Sequence, residues 1–510
     1  MSTWRQRIEP HRHPLLSLLV IFLVWKACLV GIILFSPWSG YDTDCAEAVY
    51  DKPTSPHLAL SSRWLLRFLR WDAVYFTDIA RDGYRYEQQW AFSWGFATLI
   101  RYVADCIHPA SSSILNYIWS GLIITNTSHL LSVFVLYYLT LFITGSSNHA
   151  GFDDSIAFTT AALHVLSPAG VFLTAPYGES LFSFLHFTSL YFYLQSLYHS
   201  NKALFTSPSP LRHLWLLPSA ILLSLAVLPR SNGLFSGAIY LLDLLSTLSH
   251  PLARLPFFRR ILSATQQFFT SPPLFATRAP THPLLRASLI IPSGLLVLLT
   301  FSYPQYLAWQ QFCGASSAVR EPRPWCKSFP PSIYAFVQST YWDVGFLHYW
   351  TVPNLPLFVM VAPALCLLIQ SSMAAIRGEL VFERSPISRE KIGKESRSGG
   401  ASDGVKKARK DDDEGQEIQK MVLARLAIPQ LLLAVTAIMS YHVQIVLRLC
   451  SGYPLWYMAV ALAVQGRWQL TLMVPFTTWR MVVPPKAIVM WMIIYAGVQA
   501  GLYGAFLPPA

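Results

Sequence analysis

Charge is scarce in this chain of 510 residues. Only 13% are Asp, Glu, Lys or Arg, whereas 53% are hydrophobic and the mean hydropathy is +0.40. Soluble domains carry about a quarter charged residues, so the shortage excludes a soluble protein with an ordinary polar surface. It also argues against nucleic acid as the reason for the net charge of +12. We assign that charge to Lys and Arg at the cytosolic ends of membrane helices.

Cysteine is rare as well, with seven residues in all. Cys28 and Cys366 fall in apolar runs and are predicted to be packing residues. Cys313 and Cys326 share one polar loop, so they could form a disulfide if that loop faces an oxidising lumen. The sequence leaves that pairing open.

The first apolar run, Leu15 to Phe35, lacks the cleavage site of a signal peptide. It is long enough to cross a bilayer, which takes about 20 residues. The residues that follow, FSPWSGYDTD, do not offer the small-residue pattern that signal peptidase needs. We therefore expect an uncleaved helix that enters the membrane from the cytosol.

Long apolar runs are what the sequence has in abundance, and they predict an all-α polytopic membrane protein. No internal repeat is apparent, which disfavours a transporter, because transporters are typically built from repeats. Several runs are short and interrupted by proline, which membranes tolerate only where the backbone is buried in protein or lines a cavity. About eleven runs occur, at 15–37, 114–142, 155–175, 180–198, 214–229, 233–248, 287–310, 353–376, 423–447, 453–466 and 486–507.

Three parts of the chain follow from these runs. The first is a transmembrane core over 1–376, whose two long loops, 38–113 and 312–352, are predicted to be luminal. The second is a charged cytosolic loop over 377–422, predicted to be disordered, since residues 377–420 hold eleven Lys or Arg and ten Asp or Glu. The third is a set of C-terminal membrane helices over 423–510.

The segment RWDAVYFTDIARDGYRYE, Arg70 to Glu87, concentrates three aspartates, a glutamate and three arginines beside the first membrane run. Its aromatic residues are typical of a membrane interface. The residues alone fit two interpretations. One is a solvated interfacial helix without a chemical role; the other is a catalytic segment, because a carboxylate at Asp72, held ionised and partly desolvated, suits a general base.

The same segment resembles the first luminal loop of the PIG-V family of mannosyltransferases in the endoplasmic reticulum. The resemblance continues in order through LSPAGVFLTAPYGESLFSF, PRSNGLF, PWCKSFPPSIYAFVQSTYWDVGFLHYW, MSYHVQIVLRLCSGYPLWY and the closing FLPPA. Two departures stand out. AFSWGFA keeps only the Gly-Phe of the family's Pro-Gly-Phe-Pro run, and Asp343 stands where the family pattern has Asn.

The resemblance implies a GT-C glycosyltransferase, a bundle of about 11–13 transmembrane helices in the endoplasmic reticulum membrane. It implies transfer of the second mannose, in α-1,6 linkage, from dolichyl-phosphate-mannose to mannosyl-glucosaminyl-phosphatidylinositol, a precursor of the GPI anchor. It places the family's candidate catalytic aspartate at Asp72. It also leaves room for a small accessory subunit in the same membrane, and no nucleic acid is expected.

One base is enough for that reaction. The donor is β-linked and the product α-linked, which requires inversion in a single displacement, and the departing phosphate needs no proton. A glycosidase, in contrast, needs two carboxylates. Arginines would neutralise the departing phosphate by bidentate hydrogen bonds, and Arg81, Arg70 and Arg230 are the candidates.

Other side chains have both a functional and a structural interpretation. If the segment is helical, Asp78 points away from Asp72 and shares a face with Asp82. Glu179 fits either a functional group or a structural ion pair, and His442 fits either a substrate contact or a hydrogen-bonded structural residue. The complete set of substrate-binding candidates is Arg70, Trp71, Asp78, Arg81, Tyr84, Glu87, Glu179, Arg230, Asn232 and His442.

No metal or other cofactor is expected. Asp42 and Asp44 have the spacing with which nucleotide-sugar enzymes hold a divalent cation, but a lipid monophosphate leaving group does not require one. Two alternative functions remain at this point: a lipid-linked sugar transferase of the same class with another acceptor, and a noncatalytic lipid transporter.

Overall fold

The chain is described here by a computed structural model. It covers residues 13–37, 64–107, 109, 113–144, 154–197, 210–252, 282–314, 323–380, 382, 402–473 and 480–507. Asp42 and Asp44, the pair considered for a metal, lie outside these residues.

Most of the described residues are helical. The α-helices, in chain order, are α1 (Pro14–Phe35), α2 (Asp72–Asp82), α3 (Trp94–Ile107), α4 (Ile114–Thr144), α5 (Ser155–Val165), α6 (Glu179–Leu197), α7 (Leu216–Val227), α8 (Gly233–Ser236), α9 (Ala238–Leu252), α10 (Pro283–Cys313), α11 (Ile333–Tyr341), α12 (Leu355–Ile376), α13 (Ser402–Met439), α14 (Val446–Leu449), α15 (Leu455–Val464) and α16 (Pro485–Gly504). Short 3₁₀ helices occur at Glu87–Ala91, Gly170–Leu173, Pro210–Trp215, Pro324–Lys327, Val352–Asn354, Val443–Ile445 and Cys450–Gly452.

Each of the eleven predicted apolar runs contains a helix, and the helical membrane class is confirmed. Within the described part of the chain, seven helices are long and apolar enough to cross a bilayer. An eighth span arises if Val443–Gly452 and Leu455–Val464, which meet at 82°, are counted together. Several of the other predicted runs form helices shorter than a bilayer beside proline or glycine, namely α5, α8, α9 and α15.

Two details correct the sequence-based expectations. A two-stranded antiparallel sheet joins β1 (Leu470–Met473) to β2 (Arg480–Val483), so the fold is not purely helical. The segment predicted to be disordered over 377–422 is helical from Ser402 onward. Its Lys, Arg, Glu and Gln residues are good helix formers, and they continue the apolar helix that follows.

A buried ionic cluster fixes helices α9, α10 and α13 at one end of the bundle. Arg286 donates to the Asp243 carboxylate from Nε at 3.1 Å and from Nη2 at 2.5 Å. Arg425 approaches the same carboxylate at 3.3 Å and donates to the Tyr193 hydroxyl at 2.6 Å. Because each charge is paired and hydrogen-bonded, the cluster can lie in an apolar interior.

The opposite end, which we call the loop end, carries the segment predicted to be catalytic. Arg67 donates to the Ile33 and Ser36 carbonyls at the end of α1, at 3.2 and 2.6 Å. The Tyr503 hydroxyl near the end of α16 donates to the Phe68 carbonyl at 2.8 Å. The first loop therefore lies across the carboxyl ends of α1 and α16, which directs Asp72 toward the middle of the bundle.

Candidate active site

The backbone turns sharply just before Asp72. Trp71 has φ of +52°, a left-handed conformation that costs energy for a residue other than glycine. Its side chain is held on both sides: the indole Nε1 donates to the Leu507 carbonyl at 3.1 Å, and the ring meets Phe506 edge-on. This turn makes Asp72 the first residue of α2, so its carboxylate lies at a helix amino end, where negative charge is favoured.

Asp72 faces a cavity of about 640 Å³ at the loop end, a volume within the usual range for ligand sites. Aromatic side chains form much of its wall, and the polar groups are few. The lining includes Trp71, Asp72, Tyr75, Trp90, Phe92, Phe172, Tyr177, Arg230, Asn232, Phe301, Pro304, Gln305, Tyr334, Trp342, His442 and Arg448.

A chain of alternating charges runs along one wall of this loop-end cavity. Arg448 donates from Nη2 to Asp72 Oδ2 at 2.7 Å and from Nε to Glu179 Oε1 at 3.0 Å. Arg230 pairs with the same oxygen of Glu179 through Nη2. Two carboxylates thus balance two guanidiniums, which makes this much charge tolerable in a mostly apolar setting.

The plane of the Arg448 guanidinium is also fixed by aromatic rings. Its Cζ lies 4.5 Å from the Phe172 ring centroid and 5.0 Å from that of Tyr177. Burial raises the pKa of the Tyr177 phenol, which therefore stays neutral and donates to the Arg70 carbonyl at 3.3 Å. Stacking and ion pairing together give Arg448 a single orientation.

Arg448 is a charged residue of the cavity wall that the sequence analysis did not single out. It lies in VQIVLRLCSG, a stretch otherwise apolar enough to enter the membrane. A charged residue inside such a run is itself a signal of function or pairing, and it was available in the sequence. The sequence did not show which carboxylates Arg448 would contact, because its partners lie 376 and 269 residues away.

Five of the predicted site residues line the cavity: Trp71, Asp72, Arg230, Asn232 and His442. Asn232 and His442 also make contacts within the protein. The Asn232 side-chain amide donates to the Tyr453 hydroxyl at 3.1 Å, and His442 Nε2 lies 2.9 Å from the Trp342 carbonyl. Glu179 is behind the wall, 1% exposed, and reaches the cavity through its two arginines.

The structure does not bring the other predicted residues to the cavity wall. Asp78 accepts from Arg85 at 2.9 and 3.0 Å and from Gln89 at 2.9 Å. Arg81 pairs with Asp82 at 2.9 Å and with Asp78 at 3.5 Å. These residues satisfy one another across α2 and the following turn, as the shared face of Asp78 and Asp82 predicts.

Arg70, Tyr84 and Glu87 likewise serve the protein rather than the cavity. The Arg70 guanidinium stacks on the Phe506 ring at 4.5 Å. The Tyr84 ring stacks on Trp90 at 4.1 Å, and its hydroxyl donates to a backbone carbonyl. Glu87 is buried and accepts from the Trp325 indole at 2.9 Å, which ties the first loop to the second. Their predicted contacts with substrate have no support in this geometry.

The second loop covers one side of the cavity and is fastened at its start by a disulfide. Cys313 at the end of α10 is bonded to Cys326, which settles the pairing that the sequence left open. Tyr334 and Trp342, farther along this loop, line the cavity. A disulfide is typical of an oxidising compartment, so this bond favours a luminal position for the loop end.

Comparison with known proteins identifies the family to which these features belong. The family model described as Mannosyltransferase (PIG-V) matches residues 17–510. The chain belongs to this family. It is therefore a glycosyltransferase, and Asp72, Arg230 and Arg448 all lie within the matched region.

Several curated relatives carry the name GPI mannosyltransferase 2. The protein of that name from Aspergillus fumigatus is 35% identical over 98% of this chain and 94% of its own length. The one from Aspergillus oryzae is 34% identical over 98% of this chain and 96% of its own length. Among solved structures, an oligosaccharyltransferase from Archaeoglobus fulgidus superposes on 97% of this chain and 56% of its own, with a TM-score of 0.43 and 12% identity.

Proposed function

We propose that this chain transfers the second mannose of the GPI anchor, in α-1,6 linkage, from dolichyl-phosphate-mannose to mannosyl-glucosaminyl-phosphatidylinositol. Its membership of the mannosyltransferase family and the name of its relatives support the reaction. The observation that carries the mechanism is the position of Asp72: its carboxylate faces a cavity of about 640 Å³ whose wall also holds two guanidiniums.

Asp72 is the general base of this proposal. Arg448 occupies Oδ2, whereas Oδ1 accepts no hydrogen bond from any residue that the structure describes. Oδ1 would take the proton from the 6-hydroxyl of the acceptor mannose while that oxygen attacks the anomeric carbon of the donor. The new C–O bond forms as the bond to the phosphate oxygen breaks, with inversion, and the electron pair leaves on dolichyl phosphate. One carboxylate is enough for this displacement.

Arg230 and Arg448 are placed to receive the negative charge that develops on the departing phosphate. Both line the cavity, and Asp72 lies within hydrogen-bond distance of Arg448. Guanidiniums suit this role because they stay charged and can bind phosphate oxygens in pairs. Fixed cations are most effective where water is excluded, and the aromatic wall of the cavity provides that environment.

The apolar side of the cavity suits a lipid donor. Leu234, Phe235 and Phe301 line it next to Pro304 in α10. On the same helix Leu299 is 67% exposed, as expected of a side chain that faces lipid. We place the polyprenyl chain of the donor along this side, so that its phosphate reaches the arginines while the chain stays in the bilayer.

The reaction is assigned to the luminal side of the endoplasmic reticulum membrane. The disulfide at the loop end supports that side, and the apolar helices support a multi-pass protein. We also propose that the reaction needs no metal, because the two arginines supply positive charge to a leaving group that is a monophosphate. The resemblance to fungal relatives implies, in addition, a small accessory subunit in the same membrane.

Complementation tests the proposal as a whole. Cells that lack the second mannosylation step should accumulate a GPI precursor with one mannose and recover later precursors when this chain is expressed. The same membranes should transfer mannose from labelled dolichyl-phosphate-mannose in the presence of a chelator. Persistence of the one-mannose precursor, with the protein present in the membrane, would contradict the assigned acceptor.

A further inference from the structure

We infer that Glu179 is a positioning residue, which holds Arg230 and Arg448 in the orientation that the donor phosphate requires. The inference rests on the proposed function and names a residue that acts without touching either substrate. Its basis is one carboxylate oxygen, Oε1, that takes hydrogen bonds from both guanidiniums. Asp72, Arg230 and Arg448 face the cavity, and Glu179 stands behind the two arginines.

The backbone brings Glu179 to Arg230 by a close approach. Glu179 is the first residue of α6, and the preceding Gly178 lies against the turn that carries Arg230. A Cβ added at Gly178 would be 3.0 Å from the Pro229 carbonyl oxygen and 3.5 Å from its Cβ. Glycine at this position therefore allows the two turns to touch, and the carboxylate needs no extended reach.

The hydrogen bonds of Glu179 fix which nitrogen atoms of the two arginines point away from it. Arg448 uses Nε for Glu179, which directs its Nη2 to Asp72. Arg230 uses Nη2 for Glu179. Its Nε is buried and has no hydrogen-bond partner among the described residues, so a contact with phosphate falls to the terminal nitrogens of the guanidinium. A bridging carboxylate thus turns two mobile side chains into a fixed pair of cations.

Removing the Glu179 charge should disturb the base as well as the phosphate site. Among the described residues, Asp72 would then be the only carboxylate within ion-pair distance of Arg448, and the two guanidiniums would lose the anion between them. Arg448, released at Nε, could bind Asp72 with a second hydrogen bond and cover the oxygen that accepts the proton. The neutral variant should therefore lower both turnover and affinity for phosphate.

The test compares Glu179→Gln and Glu179→Asp with the wild-type chain, all purified in detergent and normalised to folded protein by thermal unfolding. Glu179→Gln should lower kcat by about 10–100-fold and weaken dolichyl phosphate, used as a product inhibitor, by about tenfold, the loss typical when an orienting group is removed. Glu179→Asp keeps the charge and should recover part of both.

A matched control is Glu87→Gln, which neutralises another buried glutamate that accepts hydrogen bonds but lies off the cavity wall. It should change the unfolding temperature by a similar amount while kcat and dolichyl phosphate inhibition stay within about threefold of wild type. The inference is overturned if Glu179→Gln behaves like Glu87→Gln, or if Glu179→Asp recovers nothing.

The same data separate this inference from the proposed function. A folded wild-type chain that transferred no mannose would count against the function, while direct binding of dolichyl phosphate would still decide the role of Glu179. Conversely, a fully active wild-type chain whose Glu179→Gln variant kept normal phosphate affinity would refute only the role of Glu179.

Discussion

Helix α2 carries two chemically similar aspartates in different surroundings, one at its first residue and one in its second half. Asp72, at the start, has a side chain 30% exposed to the cavity and meets a cation 376 residues away in sequence. Asp78, six residues on, is 12% exposed and takes its partners from Arg85 and Gln89, within 11 residues. Both carboxylates are paired. They differ in whether the partner lies near or far along the chain.

That difference separates a structural carboxylate from one belonging to a site. A local partner satisfies Asp78 within the same stretch of chain, and the hydrogen bond to Asp78 raises the pKa of Arg85, so that guanidinium stays charged. A distant partner satisfies Asp72 only after the whole bundle has formed. It does so with one oxygen, and the other accepts no hydrogen bond from the residues that the structure describes.

The largest effect on mannose transfer is expected when Asp72 is replaced, with replacement of Asp78 as the matched control. Asp72→Asn should reduce mannose transfer by at least about 10³-fold, because the amide cannot take the hydroxyl proton. Asp78→Asn should keep the specific activity of the folded protein within about fivefold and lower its stability by about 1–3 kcal/mol, the cost of a weakened buried hydrogen-bond set. Transfer assays on membranes, with both proteins quantified, make the comparison; equal losses would erase the distinction between the two aspartates.

A second contrast concerns the cations. Arg448→Lys should lower transfer by about 10²-fold, because one ammonium cannot hold Asp72 and Glu179 and also bind phosphate oxygens. Arg85→Lys should have little effect on kcat, since its partner lies outside the cavity. Steady-state kinetics on the purified variants give the result, and a kcat for Arg448→Lys near that of wild type would remove Arg448 from the mechanism.

The smallest effect is expected from Arg81→Gln. The Arg81 side chain is 21% exposed and pairs most closely, at 2.9 Å, with Asp82, which is 30% exposed; its contact with the buried Asp78 is longer, at 3.5 Å. Pairs of this kind contribute about 0–1 kcal/mol, so the unfolding temperature and the transfer rate should stay close to wild type. A large, specific loss of donor affinity would instead return Arg81 to the phosphate site.

Much of the fold could be predicted from the sequence because membrane helices are a local property of composition. The runs that became α1, α4, α10, α12 and α16 are continuous and apolar, and their helices appear where expected. The segment from Ser402 was misjudged because its charge suggested solvation, although the same residues favour helix. The short strands β1 and β2 gave no clear periodic signal.

The site was only partly predictable, for a different reason. Asp72, Arg230 and His442 could be chosen because each stands out from its neighbours in the sequence. Sequence spacing could not show that Glu87 would accept a hydrogen bond from Trp325 of the second loop, 238 residues away. Nor could it pair Arg448 with Asp72. Contacts between distant helices decide which charged groups reach the cavity, and periodicity does not contain them.

The most direct test of the central claim is the kinetic behaviour of Asp72→Asn. Initial rates should be measured over a range of dolichyl-phosphate-mannose concentrations, with folded protein quantified. If Asp72 removes the acceptor proton, kcat should fall by at least about 10³-fold while the KM for the donor stays within about threefold. A variant that kept its kcat and lost donor affinity would show that Asp72 only orients Arg448, and would contradict the account.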